Sequence, residues 1–469
     1  MTTSIHPPGP KRKPWGHLLA FHRDPIGFLM RIARDYGDLA SFQMGPIHIW
    51  LPNHPDYIKD VLVTHHRNFS KRRQVIRRRR RKVFPRATWL KLLLGEGLLT
   101  SEGDLHRHQR RILQPAFHPQ RLATYGAVMT EYAARALKRW QDGDTVNIAQ
   151  EMRGLTLPIA GKALFGADVE SETEEISNAF ATILRLHGRI TMPLAIMFRR
   201  FPLPTSQRFQ RALDRLHVTI SRCIHERQAS GTGGDDLLSI LLHAQDSEGN
   251  GCGMTDAQVR DHMRTFSLTG YFTTTNALTW TCYLLSQHPD VEAKVHAELD
   301  SVLAGKLPTV DDLKKLPYTE MVFAEVLRLY PPIWIMSRWT LNDHEIGDYI
   351  IPANSLVVIS QYVTHHDPRY FPDPFRFDPQ RWTPEARAER PAFAYYPFGG
   401  GPRQCIGEGF AWMEAMLILA TLAQQWQMRL VPGHPVDIHP QAATTLAPRY
   451  GMPMTLKRRG SLGGSQPLD

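Results

Sequence analysis

Paired cysteines are missing from this sequence. Its four thiols, Cys223, Cys252, Cys282 and Cys405, stand far apart with no CxxC spacing. That pattern excludes a disulfide framework and makes reducing cytosol the expected compartment. An apolar run long enough to span a bilayer is also missing, and the opening MTTSIHPPGPKRKPWGHLLAF has no signal-type apolar core. The expectation is a soluble, cytoplasmic protein without a transmembrane segment; loose contact with a membrane surface stays open. Internal repeats and convincing linkers are absent, since the Gly-rich patches at 230–234 and 249–253 are short enough to be loops. Residues 1–469 are therefore expected to form a single domain, with about 1–15 and 458–469 as flexible ends.

Acidic residues are scarce in one place. Between Lys71 and Arg111 fourteen Lys/Arg face three acids (Glu96, Glu102 and Asp104), so this stretch alone carries +11, the net charge of the whole chain. The run Arg77 to Arg81, followed by Lys82, reads first as a solvated basic segment and second as a contact for an acidic partner, a membrane or an anionic substrate. No recognised fold motif or aromatic platform accompanies it, which speaks against nucleic acid.

The 469 residues are 42% hydrophobic and 22% charged, enough apolar material for a core that encloses a large cofactor. Helical spacing dominates, for instance in 121–140, 208–228 and 410–426. Alternation across Gly45-Pro46 predicts a hairpin in 39–51, residues 346–362 read as two strands around a Pro-Ala-Asn turn, and 428–457 as a further small sheet region. The longest helix starts at a capping box, Thr255 with Gln258, flanked by Met254 and Val259 as a hydrophobic staple, and runs to about Gln287. At 1.5 Å per residue that is on the order of 50 Å. Its middle, Thr269-Gly-Tyr-Phe-Thr-Thr-Thr275, is a poor choice for stabilising a buried helix. Hydroxyls bonding back one turn can bend a helix and open a groove, although a simple kink is the plainer reading.

The most informative segment is Phe398-Gly-Gly-Gly-Pro-Arg-Gln-Cys-Ile-Gly407, followed directly by a helical pattern. A cysteine just ahead of a helix sees the positive end of the dipole and unpaired N–H groups, both of which favour thiolate. The glycines let backbone pass close to a flat ligand. Arg403 can meet an anionic group.

Phe398, Gly401, Arg403, Cys405 and Gly407 fill the F-x-x-G-x-R-x-C-x-G pattern, and on them the chain resembles the cytochrome P-450 family of haem-thiolate monooxygenases, in its soluble bacterial form. Glu325-Val-Leu-Arg328 matches that family's E-x-x-R motif and Pro379-Gln-Arg381-Trp382 resembles its P-E-R-F segment. The likeness runs from Pro7 to about Lys457. It implies a mainly α fold with small β-sheets (α+β), in which haem b, iron protoporphyrin IX, lies between the long helix and the Cys405 loop. Cys405 is then the iron ligand. Glu325, Arg328 and Arg381 form a buried salt-bridge network. His106 and Arg110, with His standing where the family has Trp, join Arg338 and Arg403 as propionate contacts.

The long helix resembles the family's A-G-x-D/E-T-T/S groove. Gly270, Thr273 and Thr274 match, Thr269 replaces Ala, and Phe272 sits where the acid belongs. In the family that acid relays protons to the reacting oxygen and Thr273 holds the water chain; Phe272 cannot carry protons. Three readings follow. Water held by Thr273, Thr274 or Thr275 serves instead, with ordinary monooxygenation; the enzyme uses peroxide or performs a rearrangement; or the pocket senses a ligand with little turnover.

The resemblance lines the substrate pocket with Leu93, Leu268, Tyr271, Phe272, Ile333, Trp334, Ile335, Met336 and Met452, neighboured by Leu92, Leu94, Met192, Leu194, Ile196 and Met197. Such apolar lining suits a terpenoid, steroid or fatty acid, and the basic run leaves a carboxylated substrate open. Besides O2, the implied partners are a ferredoxin or flavodoxin with its NAD(P)H reductase.

Overall fold

The predicted hairpin forms with Leu39–Met44 antiparallel to Ile47–Pro52, Met44 facing Ile47. Gly45 turns the corner at φ 55°, a conformation glycine adopts without strain. In this computed structural model, residues 7–11, 16–72, 89–190, 204–230, 236–243, 253–441 and 445–460 are described. The Arg77–Arg81 run with Lys82, Cys252, Met192, Leu194, Ile196, Met197 and the Leu92 side chain lie outside the described residues. The described residues are about 60% helical, and the chain divides into two compact units, Met1–Thr88 with Ala324–Cys405, and Trp89–Phe323 with Ile406–Asp469.

The first unit holds a five-stranded sheet. Its order is Leu39–Met44, Ile47–Pro52, Leu356–Ile359, Met336–Thr340, Phe69–Ser70. The pairing of Ile47–Pro52 with Leu356–Ile359 is parallel, and the others are antiparallel. The sheet's apolar side packs with Ile58, Val61, Leu62, Ile346, Ile351 and Tyr396 into one core cluster. The two strands expected in 346–362 exist as Tyr349–Ile351 and Leu356–Ile359, but they do not pair with each other. Tyr349–Ile351 returns on His344–Ile346, while Leu356–Ile359 enters the large sheet. Gln361 and Tyr362 are helical rather than extended, because Ser360 caps a short helix over Gln361–His365 by accepting from the Val363 amide.

The second unit is built on the long helix Asp256–Gln287. Thr255 caps it, and Gln258 completes the reciprocal capping box. Thr156 Oγ1 on helix Ile148–Phe165 meets Thr275 Oγ1 at 2.7 Å. Beside it, a Cβ added at Gly270 would meet Leu164 Cδ1 and Ala160 Cβ of that helix at ordinary contact distances, 3.4 and 3.7 Å. Helix Glu408–Gln425 packs against helix Pro119–Leu137 and against the long helix. The turn-rich C-terminal region gives a three-stranded sheet, Thr145–Asn147, Pro453–Arg458, Trp426–Leu430, and a hairpin of Ile438–Gln441 with Thr445–Pro448. No helix among the described residues is long and apolar enough to cross a membrane.

Candidate active site

In the first unit the chemistry begins with a buried carboxylate. On helix Pro317–Leu329, Glu325 and Arg328 are one turn apart and both fully buried. Arg328 donates through Nε to Oε2 at 2.8 Å and through Nη2 to Oε1 at 2.7 Å. Its remaining protons reach the carbonyls of His365, Pro374 and Arg376 at 2.6–3.1 Å. Arg381 approaches Glu325 Oε1 at 3.4 Å. Two further donors were not legible as such: the Trp382 indole gives a hydrogen bond to Oε2 at 2.9 Å and the Asp378 amide one to Oε1 at 3.0 Å. Arg390 lies over the rings of Phe371 and Trp382. A buried ion pair is tolerated only when its remaining lone pairs and protons are satisfied, and here the loop 374–382 supplies that.

The glycine-rich loop follows. Gly399 and Gly401 have φ 76° and 65°. At Gly401 a Cβ would come within 2.0 Å of the Leu62 carbonyl oxygen, so no side chain fits. The Cys405 amide closes the loop by donating to the Phe398 carbonyl at 2.9 Å. Cys405 is exposed, whereas Cys223 and Cys282 are buried, with burial pushing the Cys282 thiol up to about 12. Two residues later Gly407 caps helix Glu408–Gln425 without a side-chain bond, and the positive end of a helix dipole favours an anion ahead of it. Arg403 sits in the short turn Gly401–Arg403. Arg338, buried on strand Met336–Thr340, donates to the Ser337 carbonyl. An exposed thiol ahead of an uncapped helix, on a loop held open by glycine, fits a metal-thiolate ligand and a flat cofactor.

In the second unit, burial along the long helix breaks in its middle. Thr269, Gly270 and Thr273 are half-buried while residues 271, 272 and 274–282 are buried. Positions i, i+1 and i+4 share one face, so this face is open. Thr269 and Thr273 hydroxyls donate to the carbonyls of Thr265 and Thr269. Thr275, one of the three expected water holders, is occupied: its hydroxyl is bonded to Thr156 and it is 2% exposed. That corrects the expectation for this residue. Thr274 is also buried, with no hydrogen-bond partner, and near it lies Glu414, fully buried with neither carboxylate oxygen bonded. Glu414 lies outside every motif of the sequence, although an acid in the middle of Phe410-Ala-Trp-Met-Glu-Ala-Met-Leu-Ile418 is a readable signal.

His106 is buried and Arg110 half-buried, one turn apart on helix Gly103–Leu113. Of the expected pocket residues, Ile333, Ile335 and Met336 are half-buried, whereas Leu93, Leu268, Tyr271, Phe272, Trp334 and Met452 are buried. The Tyr271 ring packs against Phe180 in a tilted arrangement, centroids 5.7 Å apart.

The cytochrome P-450 family description matches residues 7–453. This chain belongs to the cytochrome P-450 family. Cyclooctatin synthase of Streptomyces melanosporofaciens is 38% identical over 93% of each chain. Cyclooctat-9-en-7-ol 5-monooxygenase of the same organism is 37% identical, covering 90% of this P-450 and 92% of its own length. Pentalenene oxygenase of Streptomyces avermitilis is 34% identical over 92% of each chain. Among solved structures, a retinoic acid-bound cyanobacterial P-450 superposes with a TM-score of 0.84 at 28% identity, over 97% of this chain and 99% of its own. The P-450 is a haem-dependent monooxygenase that uses O2, a hydrophobic substrate and redox partners. One cluster outside these motifs, Asp60, His65 and His344, brings three metal-type donors within 4.8 Å. Asp60 there is the shared acceptor of both imidazoles.

Proposed function

We propose that this P-450 inserts one oxygen atom from O2 into a terpenoid hydrocarbon or alcohol. The observation that carries the reading is that relatives matched over nine-tenths of the chain include a cyclooctat-9-en-7-ol 5-monooxygenase and a pentalenene oxygenase. The apolar character of the expected lining, from Leu93 and Leu268 to Ile333 and Met336, supports a substrate with few polar groups.

The cofactor is haem b. In the first unit Cys405 supplies the iron ligand, and Arg338 and Arg403 take the propionates; in the second, His106 and Arg110 do so. Bound haem supplies dioxygen binding and reduction, which the thiolate promotes by pushing electron density to the iron. The protein's own residues do the rest. Phe398, Gly401 and Gly407 shape the loop so that Cys405 stays aimed outward. Thr273, on the open face of the long helix, holds a water through its hydroxyl oxygen while its proton is tied to the Thr269 carbonyl. The Glu325–Arg328–Arg381 network fixes the chain leading into the loop. Electrons come from a ferredoxin or flavodoxin with its NAD(P)H reductase; an acidic carrier suits a chain of net charge +11.

One observation favours a second reading. Phe272 is 8% exposed and stands at the acid's position, which suits peroxide use or a rearrangement. Titrating the ferric protein with pentalenene, cyclooctat-9-en-7-ol, a steroid and a fatty acid separates substrate classes by the low-to-high-spin shift. Turnover of the shifting compound with ferredoxin, reductase and NADPH should give a product carrying one oxygen from O2. Product formed only with hydrogen peroxide would replace this reading with the second.

A further inference from the structure

In the first unit, Asp60 and His65 are five residues apart, a spacing that an α-helix, at about 100° per residue, would point well apart. The backbone here is instead a π-turn over Asp60–Thr64, closed by the His65 amide donating to the Asp60 carbonyl at 2.9 Å. A turn closed from i to i+5 sets residue i+5 over residue i, and His65 Nδ1 meets Asp60 Oδ1. The adjacent His66 is turned away, its Nδ1 bonded to the Val63 carbonyl at 2.8 Å. A second imidazole reaches the same carboxylate from strand His344–Ile346. His344 Nε2 lies 2.6 Å from Asp60 Oδ2, across 284 positions of chain. Asn68 fastens the incoming segment. Its side-chain oxygen accepts from the Asn342 amide at 2.9 Å, and its carbonyl accepts from the Leu341 amide at 2.8 Å. The Phe69 ring meets the His344 ring edge-on, centroids 4.7 Å apart.

These three side chains bring two imidazole nitrogens and a carboxylate oxygen within 4.8 Å of one another. A tetrahedral zinc ion with bonds of 2.0–2.2 Å holds its donors roughly 3.3 Å apart, so small side-chain rotations suffice. Burial raises the Asp60 carboxyl, but hydrogen bonds from His344 and then His65 outweigh it and hold the group below the usual carboxylate range, charged at neutral pH. His344 is buried, Asp60 half-buried and His65 exposed, so the cluster opens to solvent on the His65 side. We propose that Asp60, His65 and His344 form a zinc site that ties the π-turn to strand His344–Ile346. The ion is held by an Asp60 carboxylate oxygen, His65 Nδ1 and His344 Nε2, with water in the fourth position. Two nitrogens and one oxygen suit zinc and its first-row neighbours and do not suit calcium, which takes six to eight oxygens. Coordination needs both nitrogens bare. Each ring proton then sits on the opposite nitrogen: on His65 Nε2, and on His344 Nδ1, where the long 3.5 Å contact with the Asn68 amide is given up. The site does not depend on the monooxygenase reading.

The test uses the haem-loaded protein without a polyhistidine tag, stripped with EDTA, desalted and titrated with zinc chloride in a calorimeter. The wild type should bind one zinc per haem in a saturable step. His65→Ala, which removes an exposed side chain, should weaken that step by more than the roughly tenfold that loss of a group merely supporting a ligand costs. Zinc should raise the melting temperature of the wild type, because the ion binds only the folded protein, and leave His65→Ala and Asp60→Asn unshifted. X-ray absorption at the zinc edge should show two imidazole ligands in the wild type. Absence of a saturable step, or a one-to-one step that His65→Ala leaves intact, overturns the proposal. So does weak uptake by scattered histidines that no variant changes, or a melting shift that calcium reproduces. If Asp60→Asn does not fold, His65→Ala alone decides.

Discussion

Arg328 and Glu325 meet through two parallel N–H···O bonds of 2.8 and 2.7 Å, with neither side chain exposed at all. The geometry is the bidentate fork that an arginine makes and a lysine cannot. Arg328 also ties down the carbonyls of His365, Pro374 and Arg376, so one guanidinium anchors two segments that lead toward the cysteine loop.

Removing either partner leaves the other charged, buried and unpaired. Glu325→Gln and Arg328→Met should each cost about 3–5 kcal/mol, seen as a lower denaturant midpoint and as loss of haem during purification. Arg381→Lys, whose ion pair is longer at 3.4 Å and at the edge of the network, should cost much less. Equal losses for all three would mean that the network is not organised around Glu325.

The glycines of the loop are predicted to differ among themselves. At Gly401 an added methyl meets a backbone oxygen at 2.0 Å in a conformation of positive φ; at Gly399 φ is positive too, but the nearest atom is the Met336 methyl end at 3.6 Å. Gly399→Ala should therefore cost roughly the backbone strain alone, about 1–3 kcal/mol. Gly401→Ala should do worse and shift the ferrous-CO band, because the Leu62 carbonyl has to move. Thermal melts and CO spectra of the two variants check the order.

Acid should weaken the fold before its carboxylates titrate. His262 is buried against Phe266 with both ring nitrogens unbonded, and burial lowers it to about 4; His366 is lowered to about 3 by burial and then by Arg328. These imidazoles are neutral when folded and protonate near 6.5 when unfolded. The stability they contribute is complete above pH 6.5 and is lost as pH falls toward 4. For His262 the loss across that window is roughly 3 kcal/mol. Urea unfolding at pH 7.5 and 5.0 should show a shallower pH dependence in His262→Phe than in the wild type; an identical slope would place the titration elsewhere.

Much of this was legible in the sequence, and the reasons are local. The hairpin at Gly45-Pro46, the capping box at Thr255 and Gln258, and the Cys405 loop are each written within ten or so consecutive residues. What was not legible depends on partners distant along the chain. Nothing in 346–362 says that Leu356–Ile359 pairs with Ile47–Pro52, about three hundred residues earlier, instead of with its own neighbour. Nor does the triplet Thr273-Thr274-Thr275 reveal that its members face three different surroundings. Helical rotation separates them by about 100° per residue, and only Thr156, on another helix, makes Thr275 the one that bonds across to a neighbour. The Glu325–Arg328 pair was readable from its motif, but the Trp382 and Asp378 donors that complete it were not.

The central claim is that Cys405 holds a haem as its thiolate ligand, and the ferrous-CO difference spectrum of wild type beside Cys405→His tests it most directly. The account predicts the red-shifted Soret band of thiolate ligation in the wild type, replaced in Cys405→His by the band of a histidine-ligated haem with haem content largely retained. A wild-type spectrum without the thiolate band, or one that Cys405→His leaves unchanged, would contradict it.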